Sequence, residues 1–328
     1  MEVKITMNVN IIDSHQEWKV KDLSGNNSWI HYLLAEELDE LKSNLHLIKV
    51  DGDNFINFIP PKSMIKIQAI AAKILKHLID GYGLFLIKGV PINNDAIKVY
   101  WLISMFMGKA CIQTKKGCLV YSLKNDATAK LGELVNGELV RGTKTNDEIE
   151  LHTDPCNILG MLCLQSSNNG GESTLASTIT IHNEMYSQDK TLLKELYKPF
   201  YSDRQYINLD EYSNISDNPY FKYEHNALQV QCNRKRIDSA QKHDQTIPRL
   251  TTKQVAALDL FDEIANRPEN KFTVGLENGD IIFLNNNLTI HGRNKFDDSN
   301  NDALRHYIRL WISNPNIVSM PSLFGYPM

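Results

Sequence analysis

The spacing of apolar residues predicts four helices in this chain. Apolar positions recur every three to four residues, which gives each helix one apolar face, over residues 63–79, 94–107, 181–197 and 252–266. Ser63 is predicted to cap the first helix, because a serine hydroxyl accepts a hydrogen bond from a first-turn amide. Gly81 and Gly83 end this helix before a short apolar strand at 84–88.

Strands are predicted mainly in the second half of the chain. Residues 148–154 alternate in polarity, and residues 281–284 form a short buried strand. Successive side chains of a strand point to opposite sides, so in residues 304–312 one face carries Arg305, Tyr307, Arg309 and Trp311. Periodicity alone therefore predicts a mixed α and β protein.

Three His-x-acid pairs occur, beginning at His15, His152 and His182. With 10 His and 39 acidic residues in 328, about one is expected by chance. His182 lies in a predicted helix, where residues two apart point away from each other, and His15 lies in a polar segment near the chain end. Residues 148–154 alternate, so His152 and Asp154 share a strand face and can bind one ion together.

A third candidate ligand, His291, follows an Asn-Asn-Asn break and a second apolar stretch. Two imidazoles and one carboxylate leave coordination positions open, as in non-haem Fe(II) oxygenases. Taken alone, His152 and Asp154 are equally consistent with a metal site and with an ordinary strand-end histidine followed by a loop aspartate. Arg305 and Arg309 also leave two interpretations: an edge strand with a solvated cationic face, or a cavity whose guanidinium groups bind carboxylates.

The chain resembles the TauD/TfdA branch of the Fe(II)- and 2-oxoglutarate-dependent dioxygenases, and within it the clavaminate-synthase-like group, several of whose members hydroxylate free amino acids. The matching segments are residues 152–154, 158–173, 285–293 and 305–311, with weaker agreement at 81–89. The resemblance implies an α+β fold with a double-stranded β-helix (jelly roll) core and flanking helices. It also implies one domain over residues 1–328, with a partly helical N-terminal region, about 1–110, packed on that core.

The resemblance implies that His152, Asp154 and His291 are the catalytic Fe(II) ligands, with 2-oxoglutarate as cosubstrate and O2 as oxidant. Amino-acid hydroxylases of the clavaminate-synthase-like group often have Glu where this chain has Asp154, so its place within that group stays open. Related halogenases lack this carboxylate and place chloride in its site. The presence of Asp154 therefore disfavours halogenation.

The resemblance also implies how 2-oxoglutarate is bound. Arg305, fourteen residues beyond His291, would pair with its far carboxylate. Ser173 or Thr174, just after a Gly-Gly-acid turn, would help to hold it. Arg309 would bind either the near carboxylate of the cosubstrate or an acidic group of the substrate.

The expected function is oxidation, by hydroxylation in the first instance, of an unactivated C–H bond of a small molecule, with release of succinate and CO2. A free amino acid is the leading substrate class, and Arg309 is a candidate to hold its α-carboxylate. Desaturation, cyclisation or oxidative cleavage would use the same residues. The alternative is a metal-binding jelly-roll module, a cupin-like sensor or storage protein without oxygenase activity, which would not need Arg305.

Composition adds limits on partners and location. A formal charge of −4 without a basic stripe gives no support for a nucleic-acid partner, and residues 234–236 are interpreted as a solvated strand end or an active-site rim. No apolar run approaches the ~18 residues of a membrane span. Five cysteines without a Cys-x-x-Cys pair indicate reduced thiols, so a cytoplasmic protein is expected, with a homo-oligomer left open.

Three segments near the candidate ligands have open roles. Residues 201–236, which include Arg204, Tyr206, Tyr212 and Tyr220, are either an ordered lid over a polar pocket or a solvent-exposed connection. Residues 124–147 are a candidate cover loop for the iron. Cys156, two residues after Asp154, is interpreted as a packed side chain and not as a ligand.

Overall fold

The computed structural model describes residues 9–51, 54–114, 117–125, 142–203, 215–242, 247–297 and 304–318, and the backbone of residues 134–135 and 138–139. The helices within these ranges are Val20–Leu23 (α1), Ala35–Ser43 (α2), Ile65–Asp80 (α3), Ala96–Met105 (α4), Thr178–Gln188 (α5), Lys190–Glu195 (α6), Arg234–Ala240 (α7) and Thr252–Ala265 (α8). The strands are Ile30–Tyr32 (β1), Val50–Asp51 (β2), Asn54–Phe55 (β3), Leu84–Lys88 (β4), Lys109–Ala110 (β5), Val120–Lys124 (β6), Leu134–Val135 (β7), Glu138–Leu139 (β8), Ile149–His152 (β9), Ile158–Gln165 (β10), Asn169–Gly170 (β11), Ser173–Ser177 (β12), Pro199–Asp203 (β13), Ile215–Pro219 (β14), Phe221–Glu224 (β15), Ala227–Val230 (β16), Phe272–Val274 (β17), Ile281–Asn285 (β18), Thr289–Arg293 (β19), Phe296–Asp297 (β20) and His306–Ser313 (β21).

Two larger sheets form the centre of the fold. A seven-stranded sheet has the order β1-β4-β18-β10-β21-β5, with β6 also paired to β21, and a four-stranded sheet has the order β17-β12-β19-β9. The ladders in both are antiparallel except the β1-β4 pair. Helices together with these sheets confirm the α+β class predicted from the sequence.

The two sheets face each other across one apolar layer, because alternate residues of their strands point to the same side. The large sheet contributes Leu84, Leu86, Leu159, Met161, Ile282, Leu284, Tyr307 and Trp311 to this layer. The small sheet contributes Leu175, Phe272 and Val274. The apolar faces of the two sheets therefore enclose one interior.

Helices cover the outer faces of both sheets. The outer face of the large sheet, including Phe85, Phe283 and Leu310, packs with apolar residues of α3 and α4. The outer face of the small sheet, including Ala176 and Ile290, packs with α5, α6 and α8. Amphipathic helices thus bury the sheet faces that would otherwise contact water.

The first predicted helix is present as α3, but its predicted cap is wrong. Ser63 is exposed and lies before Met64, the residue that precedes the first helical turn. The backbone amide of Ile67 in that turn instead donates to Glu40 Oε2 of α2 at 2.8 Å. A carboxylate from a neighbouring helix therefore takes the role expected of a local hydroxyl.

The predicted helix over residues 181–197 is two helices, α5 and α6. Asp189 interrupts them with an extended backbone, and its Oδ1 accepts hydrogen bonds from the amides of Thr191 and Leu192. An aspartate at this position stabilises the start of a new helix, because it satisfies amides that have no partner within the helix. The predicted helices at residues 94–107 and 252–266 are confirmed with slightly shorter bounds, as α4 and α8.

Neither interpretation of residues 201–236 fits the part of that segment that the structure describes. Residues 221–230 form the hairpin β15-β16, and Tyr220 and Phe221 are buried in the apolar layer with α8. Residues 234–236 are not a strand end, since they form the first turn of α7. Asn233 precedes this helix, and its side-chain oxygen accepts a hydrogen bond from the amide of Arg236 at 3.2 Å. Arg204, Tyr206 and Tyr212 lie outside the described residues.

All five cysteines are free thiols, as predicted. Within the described ranges, no helix is both long and apolar enough to cross a membrane.

Candidate metal centre and its cavity

The small sheet brings the two candidate histidines together. His152, at the end of β9, is paired directly with His291 on β19, and their ring centroids lie 4.3 Å apart. His152 Nε2 is 3.9 Å from Asp154 Oδ1, and His291 Nε2 is 3.7 Å from Asp154 Oδ2. Among the described residues, these three form the candidate metal site: each offers one ligand atom, and the three atoms lie within 4.8 Å of one another.

The loop after β9 is held in place by the turn between β18 and β19. The side-chain oxygen of Asn286 accepts from the amide of Asp154 at 3.3 Å, and its nitrogen donates to the carbonyl oxygen of Cys156 at 3.0 Å. Thr153 pairs with the backbone of Cys232 on its other side. Asn286 belongs to the Asn-Asn-Asn break predicted between two buried strands, but its role in holding Asp154 was not predicted.

Both imidazoles are in the form that binds metals. His152 Nδ1 is 2.8 Å from the carbonyl oxygen of Glu150, which orients Nε2 towards Asp154. Burial lowers the pKa of His152, and burial together with the neighbouring His152 lowers the pKa of His291 to about 3. Both rings are therefore neutral near pH 7, as metal coordination requires.

Asp154 is an ionised, buried carboxylate. Its Oδ2 accepts hydrogen bonds from Arg309 Nη1 at 3.1 Å and from Trp311 Nε1 at 2.9 Å. Burial opposes ionisation more strongly than any single neighbour favours it, but Arg309, the two histidines and the hydrogen bond from Trp311 together outweigh burial and hold the pKa of Asp154 well below its usual range. Two neutral imidazoles and a carboxylate form a donor set that fits a divalent first-row metal such as Fe(II).

Arg309 is fixed on two sides by other residues of the site. Its Nε donates to Gln113 Oε1 at 2.8 Å, and its guanidinium carbon lies 4.5 Å from the ring of Trp311 and 5.3 Å from that of Tyr121. Gln113 is fully buried and also donates to the carbonyl oxygens of Leu119 and Arg309. Nothing in the sequence around Gln113 indicated this role.

A cavity of ≈ 460 Å³, including its open mouth, lies against the three ligands. It is lined by Leu123, Thr143, Ile149, His152, Met161, Ser173, His291, Gly292, Arg293, Arg305 and Arg309. Since β21 is paired on both sides and Arg305 and Arg309 are only 4% and 7% exposed, the edge-strand interpretation is wrong. Guanidinium groups line the interior of the site.

Of the two predicted hydroxyl residues, Ser173 reaches this cavity. Ser173 points to the interior side of β12, like Leu175 in the layer between the sheets. Thr174 lies on the opposite face of the strand, where a Cβ added to Gly292 would meet its Oγ1 at 2.7 Å. The alternation of the strand thus separates Thr174 from the site.

Arg305 lies between aromatic rings and a glycine turn. Its guanidinium carbon is 3.7 Å from the ring centroid of Tyr307 and 5.4 Å from that of Phe296. Gly171 has φ +78°, and a Cβ there would lie 3.1 Å from Arg305 Nε and 2.7 Å from Ser167 Oγ. The predicted Gly-Gly-acid turn therefore leaves the space in which Arg305 packs.

The remaining candidates near the motifs have structural roles. His182 is fully buried in α5, and its Nε2 lies 2.7 Å from Tyr197 Oη. His15 is exposed near the N-terminal end of the described chain, with Nε2 2.6 Å from the carbonyl oxygen of Asp80. Cys156 Sγ lies 3.0 Å from Asn286 Nδ2 and is outside the group of candidate ligands. Of the cover loop predicted at 124–147, the structure describes residues 124–125 and 142–147, and the backbone of the paired strands β7 and β8.

The chain belongs to the taurine catabolism dioxygenase TauD, TfdA family, whose model matches residues 59–311. FR-33289 synthase of Streptomyces rubellomurinus is 30% identical over 264 residues, which cover 77% of this chain and 75% of that protein. This membership confirms the predicted enzyme class, an Fe(II)- and 2-oxoglutarate-dependent dioxygenase.

Solved structures share the fold at low sequence identity. Asparagine oxygenase in complex with Fe(II), 3-hydroxyasparagine and succinate has a TM-score of 0.64 at 12% identity, covering 87% of this chain and 93% of that one. The non-haem iron oxygenase OrfP in complex with Fe and α-ketoglutaric acid has a TM-score of 0.59 at 15% identity, with the same coverage.

Proposed function

We propose that this dioxygenase hydroxylates an unactivated C–H bond of a free amino acid, with release of succinate and CO2. The observation that carries the proposal is the position of His152, Asp154 and His291 at a buried cavity that also contains Arg305. A metal-binding module without oxygenase activity would have no use for buried guanidinium groups beside its metal. Membership of the TauD/TfdA family also disfavours that alternative.

The side chains of the protein would bind the metal and the cosubstrate, orient the substrate and exclude water. His152, Asp154 and His291 would hold Fe(II), which with 2-oxoglutarate and O2 supplies the oxidising chemistry when bound. Arg305 would pair with the far carboxylate of 2-oxoglutarate, with the hydroxyl of Ser173 beside it. The apolar side chains of Leu123, Ile149 and Met161 line the same cavity and keep water from the reacting groups.

An amino-acid substrate is supported by the fold neighbours and by Arg309. Two of the structures that share the fold are complexes with hydroxyasparagine and with hydroxy-L-arginine, at 12% and 14% identity. Arg309 lines the cavity while Asp154 and Gln113 accept from two of its nitrogens. Its remaining N–H groups are candidates to hold the α-carboxylate of the substrate, because a guanidinium pairs well with a carboxylate.

The wider architecture belongs to the same proposal. The two mainly antiparallel sheets, packed face to face, support a double-stranded β-helix (jelly roll) core. We propose that residues 1–328 form a single domain, with the partly helical region of about residues 1–110 packed on this core. A cytoplasmic location is supported by the five free thiols, and a small molecule is the proposed partner, without nucleic acid.

Anaerobic protein with Fe(II) tests the site. Adding 2-oxoglutarate should produce the weak visible charge-transfer band of the chelate, lost in His291→Ala and weakened in Arg305→Ala. Bound iron without a band in the wild type would favour the metal-module alternative.

A screen of free amino acids, with succinate as the product measured, then tests the substrate class. We expect one or a few amino acids to stimulate succinate release well above the rate without substrate. A screen in which only other compounds do so would contradict the amino-acid assignment.

A further inference from the structure

Arg293 is a buried arginine that was not among the predicted site residues. It connects the cavity wall to β19, the strand that carries His291. Arg293 lies two residues after His291 on β19 and lines the cavity. Its Nη2 donates to the carbonyl oxygens of Thr145 at 2.9 Å, of Gly142 at 3.4 Å and of Asp147. One guanidinium group thus binds three carbonyl groups of residues 142–147, named here the wall segment.

The wall segment is part of the site. Thr143 lines the cavity, and the segment leads directly into β9, which ends at His152. The amide of Phe296, three residues after Arg293, donates to the carbonyl oxygen of Asn146 at 3.1 Å. Residues 293–296 therefore hold the wall segment through both a side chain and the backbone.

Phe296 also connects the wall segment to the candidate cosubstrate arginine. Its ring centroid lies 4.6 Å from the guanidinium carbon of Arg293 and 5.4 Å from that of Arg305. Phe296 is 4% exposed, and its backbone pairs with Gly170, next to the turn on which Arg305 packs. A displacement of either arginine would disturb the Phe296 ring against which the other packs, because close-packed protein interiors deform poorly.

We propose that Arg293 and Phe296 are positioning residues that hold the wall segment closed and couple its closure to the binding of 2-oxoglutarate at Arg305. The coupling rests on the proposed role of Arg305; the holding of the wall segment does not. If Arg293 and Phe296 had a structural role alone, they would hold residues 142–147 equally with and without the cosubstrate. The coupled arrangement requires that each event stabilise the other, since linkage is reciprocal.

Hydrogen exchange of the wall segment, followed by mass spectrometry, measures the holding directly. In metal-free protein, Arg293→Gln should accelerate exchange in peptides covering residues 142–147 roughly tenfold or more, because hydrogen bonds from a charged donor are lost. Arg293→Lys keeps the charge without the forked geometry and should lie between Arg293→Gln and the wild type. The matched control is Arg267→Gln, which removes a surface arginine bound to Glu184 and Glu263 and should leave this exchange unchanged.

The same measurement with Fe(II) and 2-oxoglutarate under anaerobic conditions tests the coupling. In the wild type, 2-oxoglutarate should slow exchange of the wall segment several-fold. Phe296→Leu should reduce this protection, and the charge-transfer band should show a several-fold higher Kd for 2-oxoglutarate.

Each outcome decides one part of the proposal. Unchanged exchange in a folded Arg293→Gln variant would overturn the holding role; if that variant does not fold, Arg293→Lys decides the same point. A wild-type band without protection of residues 142–147, or full protection in Phe296→Leu, would overturn the coupling. The absence of any band would instead overturn the proposed function together with the coupling, and the metal-free exchange would still decide the holding role.

Discussion

The two central sheets face the same interior but contribute different chemistry to the site. The four-stranded sheet carries His152 and His291, whose low pKa values keep them neutral. The seven-stranded sheet carries Arg309 on β21, with Arg305 just before that strand. The two meet at Asp154, whose Oδ2 accepts from Arg309 and Trp311 of the large sheet. The candidate metal centre, whose two histidines lie on the small sheet, is therefore completed by contacts from the large sheet.

Removing Asp154 should have the largest effect, because this residue joins the two sheets. Asp154→Ala should abolish iron binding and lower the free energy of unfolding by roughly 3–5 kcal/mol, since it leaves the buried charge of Arg309 without its carboxylate. Iron content and denaturant unfolding measure the two effects. Glu150→Ala, which removes an exposed carboxylate from β9, should retain iron. Stoichiometric iron with a normal charge-transfer band in Asp154→Ala would contradict the assignment.

Removing Arg305 should weaken the binding of 2-oxoglutarate without loss of the iron. Arg305→Ala should raise the Kd of 2-oxoglutarate roughly 100-fold, as expected for the loss of charge-assisted hydrogen bonds, while iron content stays at the wild-type level. Titration of the charge-transfer band under anaerobic conditions measures this Kd. An unchanged affinity would place the cosubstrate carboxylate elsewhere in the cavity.

Acid should weaken the helix layer behind the small sheet through His182. Burial lowers the pKa of His182 from 6.5 to about 4, so the unfolded chain binds more protons between these values. The contribution of neutral His182 to the free energy of unfolding is then fully present above about pH 6.5 and is lost as the pH drops towards 4, by an amount on the order of 3 kcal/mol.

His182→Gln tests this origin. The variant should lack that component of the pH dependence in denaturant unfolding at a series of pH values. If the variant and the wild type lose stability in parallel across this range, another group is responsible.

The smallest expected effect concerns Gln113, which fixes Arg309. Gln113→Leu keeps the approximate volume but removes the acceptor for Arg309 Nε. With the substrate found by the screen, its KM should rise roughly threefold to tenfold, about the value of one hydrogen bond, with a smaller change in kcat. Iron content should not change. An unchanged KM would mean that Asp154 and the aromatic rings suffice to place Arg309.

Much of the candidate site could be predicted because its signals are local. His152 and Asp154 stood out because a two-residue spacing on the strand predicted over 148–154 places both on one side, and Arg305 and Arg309 stood out by the same rule. The strand itself is shorter than predicted: β9 ends at His152, and Asp154 lies in the loop that follows. Local rules were wrong where a distant group intervened: Glu40, from another helix, took the role predicted for Ser63, and packing with α8 buried Tyr220 and Phe221 at the start of the β15-β16 hairpin.

The sequence by itself therefore determined the candidate metal ligands, the arginine-bearing strand face and the α+β class. Strand alternation and helical spacing are properties of neighbouring residues and can be read from the chain directly. Only the tertiary structure decided that Asn286 holds the amide of Asp154 from 132 residues away and that Gln113 binds Arg309 from 196 residues away. A buried polar side chain must find a partner wherever the fold supplies one, and the spacing of residues along the chain does not encode which partner that is.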